Sequence, residues 1–251
     1  MQLGEAEKRA LTENGYLIVP GLVPRARVDA ALLAINGSLG EEGIPKDRIW
    51  TLRAQTFCPE LVGAPPIVDL YAQTALPALV EAALGAGNVP APTTGQIALR
   101  FPQAIAEPRD PYPHIDGMPG PLNGVEPQTL YTFTALAAVF LSDIPTTFRG
   151  NFTVWPGTHR VLEAHFRAHG TAELLQGFPK VSMPPPRQLI VQAGDVLLAH
   201  HALAHGAAPN VGPHVRYAVF FRLTHRTLDP RSTTSLTDIW RQWEGLARLQ
   251  P

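Results

Sequence analysis

Apolar residues recur along this chain in two rhythms, helical in the first third and strand-like beyond it. Glu5 to Asn14 reads as a short helix stopped by Gly15, followed by an extended Tyr16-Leu-Ile-Val19 and a turn at Pro20-Gly21. Pro24 opens a second helix, with Val28, Leu32, Leu33, Ile35 and Leu39 as its core-facing set and Gly40 at its end. Val68 to Leu84 predicts a third helix, bent at Pro77, because proline there removes a backbone donor and clashes with the preceding turn. Residues 1–90 are therefore expected to form a mainly helical flank.

From Gln96 the pattern changes. Gln96–Phe101, Leu130–Leu141, Phe152–Trp155, Leu189–Gln192, Val196–His200 and Arg216–Leu223 read as strands, with a helical insert over His159–Ala168. Turn signals such as Gly194-Asp195 and Pro209-Asn210 separate them. Many short strands with this punctuation predict a jelly roll over residues 91–225. Leu236, Ile239, Trp240, Trp243, Leu246 and Leu249 then fall at helical spacing, which predicts a C-terminal helix over 235–250 packed on the barrel flank. The fold class is mainly β with flanking helices, and residues 1–251 are expected to form a single domain.

Composition narrows the partners. Hydrophobic residues make up 45% of the 251 and charged ones 16%, apolar enough for a large core. A net charge of −1 gives no electrostatic pull toward nucleic acid or an anionic membrane. The longest apolar run, Ala135–Leu141, is too short to cross a bilayer, and Met1–Glu13 lacks the apolar centre of a signal peptide. Cys58 is the only cysteine, so a reducing, cytoplasmic setting is expected. The expected partner is a small-molecule substrate, with no nucleic acid and no membrane, and nothing in the chain specifies an oligomeric state.

The long Pro/Gly-rich stretch from Pro102 to Pro127 carries His114-Ile115-Asp116. Loops of that length inside a compact domain usually serve function. In an extended segment, side chains two apart share a face, so His114 and Asp116 can aim at one ion while Ile115 points into packing. Two imidazoles and one carboxylate hold a non-haem Fe(II) with coordination positions left open. Three histidines, His200, His201 and His205, are candidates for the second imidazole, and spacing does not choose among them. Arg216, eleven residues past His205, suits the far carboxylate of a chelating 2-oxo acid, since a guanidinium grips a carboxylate through a rigid fork of donors.

From about Gly15 to Arg222 the chain resembles the phytanoyl-CoA dioxygenase family of Fe(II)/2-oxoglutarate oxygenases. The matching stretches are Gly15-Tyr-Leu-Ile-Val-Pro-Gly-Leu22, His114-Ile-Asp-Gly117 and Gly150-Asn-Phe-Thr-Val-Trp-Pro-Gly-Thr-His159. Gly194-Asp-Val-Leu-Leu-Ala-His200 and His205-Gly-Ala-Ala-Pro-Asn210 follow, with Arg216 beyond. The resemblance implies a double-stranded β-helix (cupin-like) core with metal ligands His114, Asp116 and His205. It makes Arg216 the 2-oxoglutarate clamp and sets Gln96 near the cosubstrate's C1 carboxylate. Arg100, on the same strand face, becomes a further candidate for cofactor or substrate contact.

One departure stands out: Ala207 occupies a position where relatives often carry a hydroxyl that helps hold the C5 carboxylate, and Thr134 is the proposed substitute donor. The implied cofactors are Fe(II), 2-oxoglutarate and O2, with ascorbate as a possible reductant. The implied reaction is hydroxylation of a C–H bond with release of succinate and CO2. Asp116 stands where related halogenases have a small residue, which favours hydroxylation. The competing readings are a cupin-like metal isomerase or hydrolase and a non-catalytic small-molecule-binding barrel. The loops 37–66 and 103–129 are expected at the pocket mouth, where Arg48, Arg53, Arg109 or Arg149 would receive an anionic group.

Overall fold

The computed structural model describes residues 2–249. Its strands are β1 (Tyr16–Val19), β2 (Gln96–Arg100), β3 (Ala135–Phe140), β4 (Phe152–Val154), β5 (Arg187–Gln188), β6 (Val196–His200), β7 (His205–Ala207) and β8 (Arg216–Leu223). They form two antiparallel sheets, a five-stranded one in the order β1-β6-β3-β8-β2 and a three-stranded one in the order β5-β4-β7. Both sheets and the flanking helices give the double-stranded β-helix that the sequence implies.

The inner strands are apolar on both faces, which is why they read as continuous runs. Ile97, Leu99, Ala135, Ala137, Val139, Val196, Leu198, Val219 and Phe221 face one way, into a core shared with the N-terminal helices. Ala98, Leu136, Ala138, Phe140, Leu197, Ala199, Ala218 and Phe220 face the other, into the space between the sheets with Phe152 and Val154. Strand residues two apart share a face. The inward face of β2 and β8 thus also carries Gln96, Arg100, Arg216 and Arg222. A register pair sets Arg100 opposite Arg216.

The helices are α1 (Glu5–Arg9), α2 (Arg25–Glu42), α3 (Ile49–Ala54), α4 (Pro65–Ala72), α5 (Leu76–Leu84), α6 (Thr158–His169) and α7 (Thr234–Thr237). Gly15 ends the first helical segment at a φ of 81°, a left-handed conformation open to glycine. On α2, Val28, Ala31 and Ile35 are buried, while Leu33 is 77% exposed. Leu33 sits on the opposite side of the 3.6-residue turn, and Ala31 takes its expected inward place. The helix also runs past Gly40 to Glu42.

The helix expected over Val68–Leu84 is two helices meeting at a 50° bend, with Pro77 in the first turn of α5 rather than in mid-helix. A proline's missing N–H costs nothing there. No single helix among the described residues is long and apolar enough to cross a membrane, and the apolar α4 and α5 are consumed by the core.

Other boundaries move as well. β3 covers only Ala135–Phe140 of the expected Leu130–Leu141, and Leu189–Gln192 contributes only an isolated bridge, Val191 to Ile144. The C-terminal helix expected over 235–250 is one turn, α7, followed by a 3-10 segment, Glu244–Leu249. Leu236, Ile239, Trp243 and Leu246 are buried nonetheless. Residue 250 and the side chain of Leu249, both part of that expectation, lie outside what is described.

Candidate metal centre

His114 lies in the long loop after β2, yet its backbone is fixed. It forms a β-bridge with His205 of β7, each N–H donating to the other's carbonyl at 3.0 and 2.9 Å. The two imidazoles therefore start from paired backbone positions, and their rings lie 4.5 Å apart. Ile115 is buried against Leu162 and Phe166 of α6, so Asp116 returns to the side of His114 as the alternation requires.

Asp116 Oδ1 is 3.6 Å from His114 Nε2 and 3.5 Å from His205 Nε2. All three donor atoms lie within 4.8 Å of one another. Divalent-metal bonds of about 2.1 Å at right angles separate donors by roughly 3 Å, so small side-chain shifts suffice to close such a set on one ion.

The surroundings prepare each group. His205 Nδ1 lies 2.9 Å from the Leu203 carbonyl. A carbonyl only accepts, so the proton sits on Nδ1 and the Nε2 lone pair faces the cluster. Phe152 stacks on the His205 ring at 5.1 Å and 17°.

Arg222, at the far end of β8, donates to Asp116 Oδ2 from Nη2 at 2.7 Å and from Nε at 3.0 Å. Burial works against ionisation of Asp116. Arg222, followed by the hydrogen bonds to His114 and His205, outweighs that and holds the carboxyl well below the usual carboxylate range. Sequence reasoning assigned Arg222 no role. The signal was there: Arg222 is six residues from Arg216, hence on the same strand face.

The other histidines are engaged elsewhere. His200 Nε2 meets the Ile239 carbonyl at 2.8 Å, and its Nδ1 accepts from the Ala202 N–H at 3.0 Å. His201 is buried against Phe133, with ring centroids 5.1 Å apart. His159 Nε2 lies 3.2 Å from the Thr12 carbonyl.

The cluster opens into a cavity of about 580 Å³, lined on its apolar side by Phe133, Leu136, Phe152 and Phe220. Arg216 lies in it, only 2% exposed, with Nε donating to the Gly150 carbonyl at 2.8 Å and Nη1 to that of Ala98 at 3.1 Å. Those bonds orient the guanidinium and leave Nη2 for a ligand. Burial, then the charges of Arg100 and Arg53, push the Arg216 pKa well down, a cost that a bound anion would offset.

Gly150 makes this approach possible. At φ 77° a Cβ there would come 2.8 Å from Arg100 Cβ and 3.1 Å from Arg216 Cβ. Gln96 also lines the cavity and donates its amide to the Gln55 carbonyl. Ala207 lines it too.

Thr134 does not belong to the site. Its hydroxyl accepts from the His225 N–H at 2.9 Å, and it is absent from the cavity wall, so it cannot replace the hydroxyl missing at Ala207. Thr134 lies at a bend just before β3 begins at Ala135, so the alternation that turns Leu136 inward does not extend to it. Trp155 is buried core, away from the cavity. Both expected mouth loops reach the cavity, through Arg53, Ala54 and Gln55 and through Met118, Pro119, Asn123 and Val125. Of the four arginines expected there, only Arg53 lines it.

The family model described as phytanoyl-CoA dioxygenase matches residues 11–218. No curated protein sequence matches. Among solved structures, the non-haem α-ketoglutarate-dependent epimerase SnoN from nogalamycin biosynthesis superposes with a TM-score of 0.62 at 21% identity, over 91% of this chain and 83% of that one. The non-haem α-ketoglutarate-dependent carbocyclase SnoK from the same biosynthesis gives 0.57 at 21% identity, over 92% and 93%. HygX from Streptomyces hygroscopicus, with nickel and 2-oxoglutarate bound, gives 0.56 at 19% identity, over 91% and 89%. At such identities these likenesses establish the fold.

Proposed function

This chain belongs to the phytanoyl-CoA dioxygenase family, and from that premise we propose that it hydroxylates a C–H bond of a small molecule, consuming O2 and 2-oxoglutarate and releasing succinate and CO2. The family depends on Fe(II) and 2-oxoglutarate. In this reading His114, Asp116 and His205 hold the iron, and Arg216 grips the C5 carboxylate of 2-oxoglutarate. Gln96 stands near the C1 carboxylate, with Arg100 beside the clamp. The observation that carries it is the convergence of two imidazoles and one carboxylate within 4.8 Å, beside a buried arginine that has no carboxylate partner among the described residues. Cytoplasmic location, with Cys58 as a free buried thiol, is part of the same proposal.

When bound, Fe(II) chelated by 2-oxoglutarate supplies the activation of O2 and the oxidising power. The chain's own residues do the rest. Leu203 holds the proton of His205 on Nδ1, so Nε2 stays a donor to metal. Arg222 occupies Oδ2 of Asp116, which leaves Oδ1 facing the imidazoles. Phe133, Leu136, Phe152 and Phe220 keep bulk water from the reacting region. A carboxylate at 116 leaves no vacancy for halide on the metal, which favours hydroxylation over halogenation.

The test is O2-dependent succinate formation by the purified chain with Fe(II), ascorbate and 2-oxoglutarate. Succinate should appear, vanish on adding a chelator, and be absent in Asp116→Ala. Metal-loaded protein that transforms small molecules without O2, or full turnover in Asp116→Ala, would favour a metal isomerase or hydrolase. No metal or 2-oxoglutarate uptake at all would favour the binding barrel.

A further inference from the structure

Four guanidiniums line the cavity, and only Arg222 has a carboxylate beside it. Arg216, Arg100 and Arg53 form a row that runs from the interior toward the mouth. Arg216 is on β8, Arg100 is its register partner on the edge strand β2, and Arg53 is on α3. The segment after α3 is tied to β2, with Phe57 donating to the Ile97 carbonyl at 2.9 Å and Ile97 donating to Thr56 Oγ1 at 3.0 Å. Those bonds fix where Arg53 enters. Arg216 is almost fully buried, whereas Arg100 and Arg53 are half-buried.

Among the described residues, none of these three arginines lies within 4 Å of a carboxylate. Arg100 Nε is buried without a hydrogen-bond partner, although Nη1 reaches the Leu99 carbonyl at 3.0 Å. Burial and the charge of Arg53 push the Arg100 pKa down to about 10. Like charges gathered out of water cost free energy unless a counter-charge joins them. 2-Oxoglutarate brings two negative charges, one carboxylate to the iron and one to Arg216. The outer two guanidiniums then remain without a counter-ion.

We propose that Arg53 and Arg100 form a second anion subsite, and that the substrate carries a carboxylate or phosphate group bound there while 2-oxoglutarate occupies Arg216. The depth order assigns the roles: the cosubstrate sits innermost, and the substrate's anionic end lies toward the opening. This rests on the oxygenase reading above.

The experiment is anaerobic calorimetry on the full chain loaded with Fe(II) and saturating 2-oxoglutarate, titrated with inorganic phosphate and, separately, with acetate. At least one probe should bind once per chain with 2-oxoglutarate retained, and the stronger of the two names the substrate's group. Arg53→Gln and Arg100→Gln should each weaken the probe roughly ten- to hundredfold, the range of one charge-assisted hydrogen bond. Arg53→Gln should leave 2-oxoglutarate affinity within about twofold. Arg53→Gln, on a short half-buried helix, keeps the test decisive if Arg100→Gln fails to fold. The subsite is overturned if neither probe binds, if the probe displaces 2-oxoglutarate, or if Arg53→Gln binds it as the parent does. If 2-oxoglutarate itself fails to bind the iron-loaded chain, the oxygenase reading falls first and takes the subsite with it.

Discussion

Arg222 shows how much of a metal site lies outside its ligands. It donates twice to one oxygen of Asp116 and leaves the other to face the imidazoles. Removing such a partner from a ligating carboxylate lowers metal affinity by about 10–100-fold. Arg222→Leu should therefore bind Fe(II) that much more weakly in an anaerobic titration, with the fold kept because the side chain is 42% exposed. Affinity equal to the parent would deny Arg222 that role.

Arg216→Ala strands a carboxylate in a buried site. Losing one member of such a pair costs on the order of 3–5 kcal/mol, so 2-oxoglutarate affinity should fall by orders of magnitude, and an unchanged value would reject the clamp. At this scale the sequence was most legible for His114, Asp116 and Arg216, whose neighbours define them. Spacing alone left His200, His201 and His205 equivalent. What separates them is the turn after β6, which spends His200 on Ile239 and Ala202 and swings His205 onto the strand facing His114.

Long apolar strands and capped helices stood out as elements, and short or polar ones did not. β7 is three residues and α3 is six, with Arg53 near its end, too short for a period to register. The C-terminal segment misled in the other direction. Its apolar stripe is real, but it packs as two short pieces against side chains of β6 and α6. His200 stacks on Trp243 with ring centroids 5.2 Å apart, and His159 meets Trp240 edge-on at 5.4 Å.

That joint predicts a pH dependence. Burial pushes His200 down to about 4, against the opposing bond to Ile239. Burial and then the charge of His200 push His159 down to about 3. In the unfolded chain both titrate near 6.5. Between those values the unfolded state binds more protons, so stability should fall as pH drops below about 6.5 and keep falling toward about 3 to 4. At pH 5 the loss is roughly 2 kcal/mol per histidine. Urea denaturation of the metal-free chain at pH 7 and 5 measures it. His200→Gln should flatten the slope, and a pH-independent midpoint in the parent would contradict the account.

For the whole molecule, the same strands serve two cores. Their outer face is sealed by helices from the first third of the chain, and their inner face closes on the three-stranded sheet, where arginines replace apolar residues at the ends of β2 and β8. The architecture was legible because the strand runs and turn signals are strong. The pairing order was not, since nothing local in Tyr16–Val19 says that it joins Val196–His200, some 180 residues away. The same holds for Arg53, which enters the cavity only because the chain after α3 is sewn to β2.

The claim on which all of this depends concerns one ion. Crystals of the chain grown without oxygen and loaded with Fe(II) and 2-oxoglutarate, measured by anomalous scattering at the iron edge, would locate it directly. A single iron peak should lie about 2.1 Å from Nε2 of His114, Nε2 of His205 and Oδ1 of Asp116, with the C5 carboxylate on Arg216. An iron bound by other residues, or a cavity that takes up 2-oxoglutarate away from these three side chains, would contradict it.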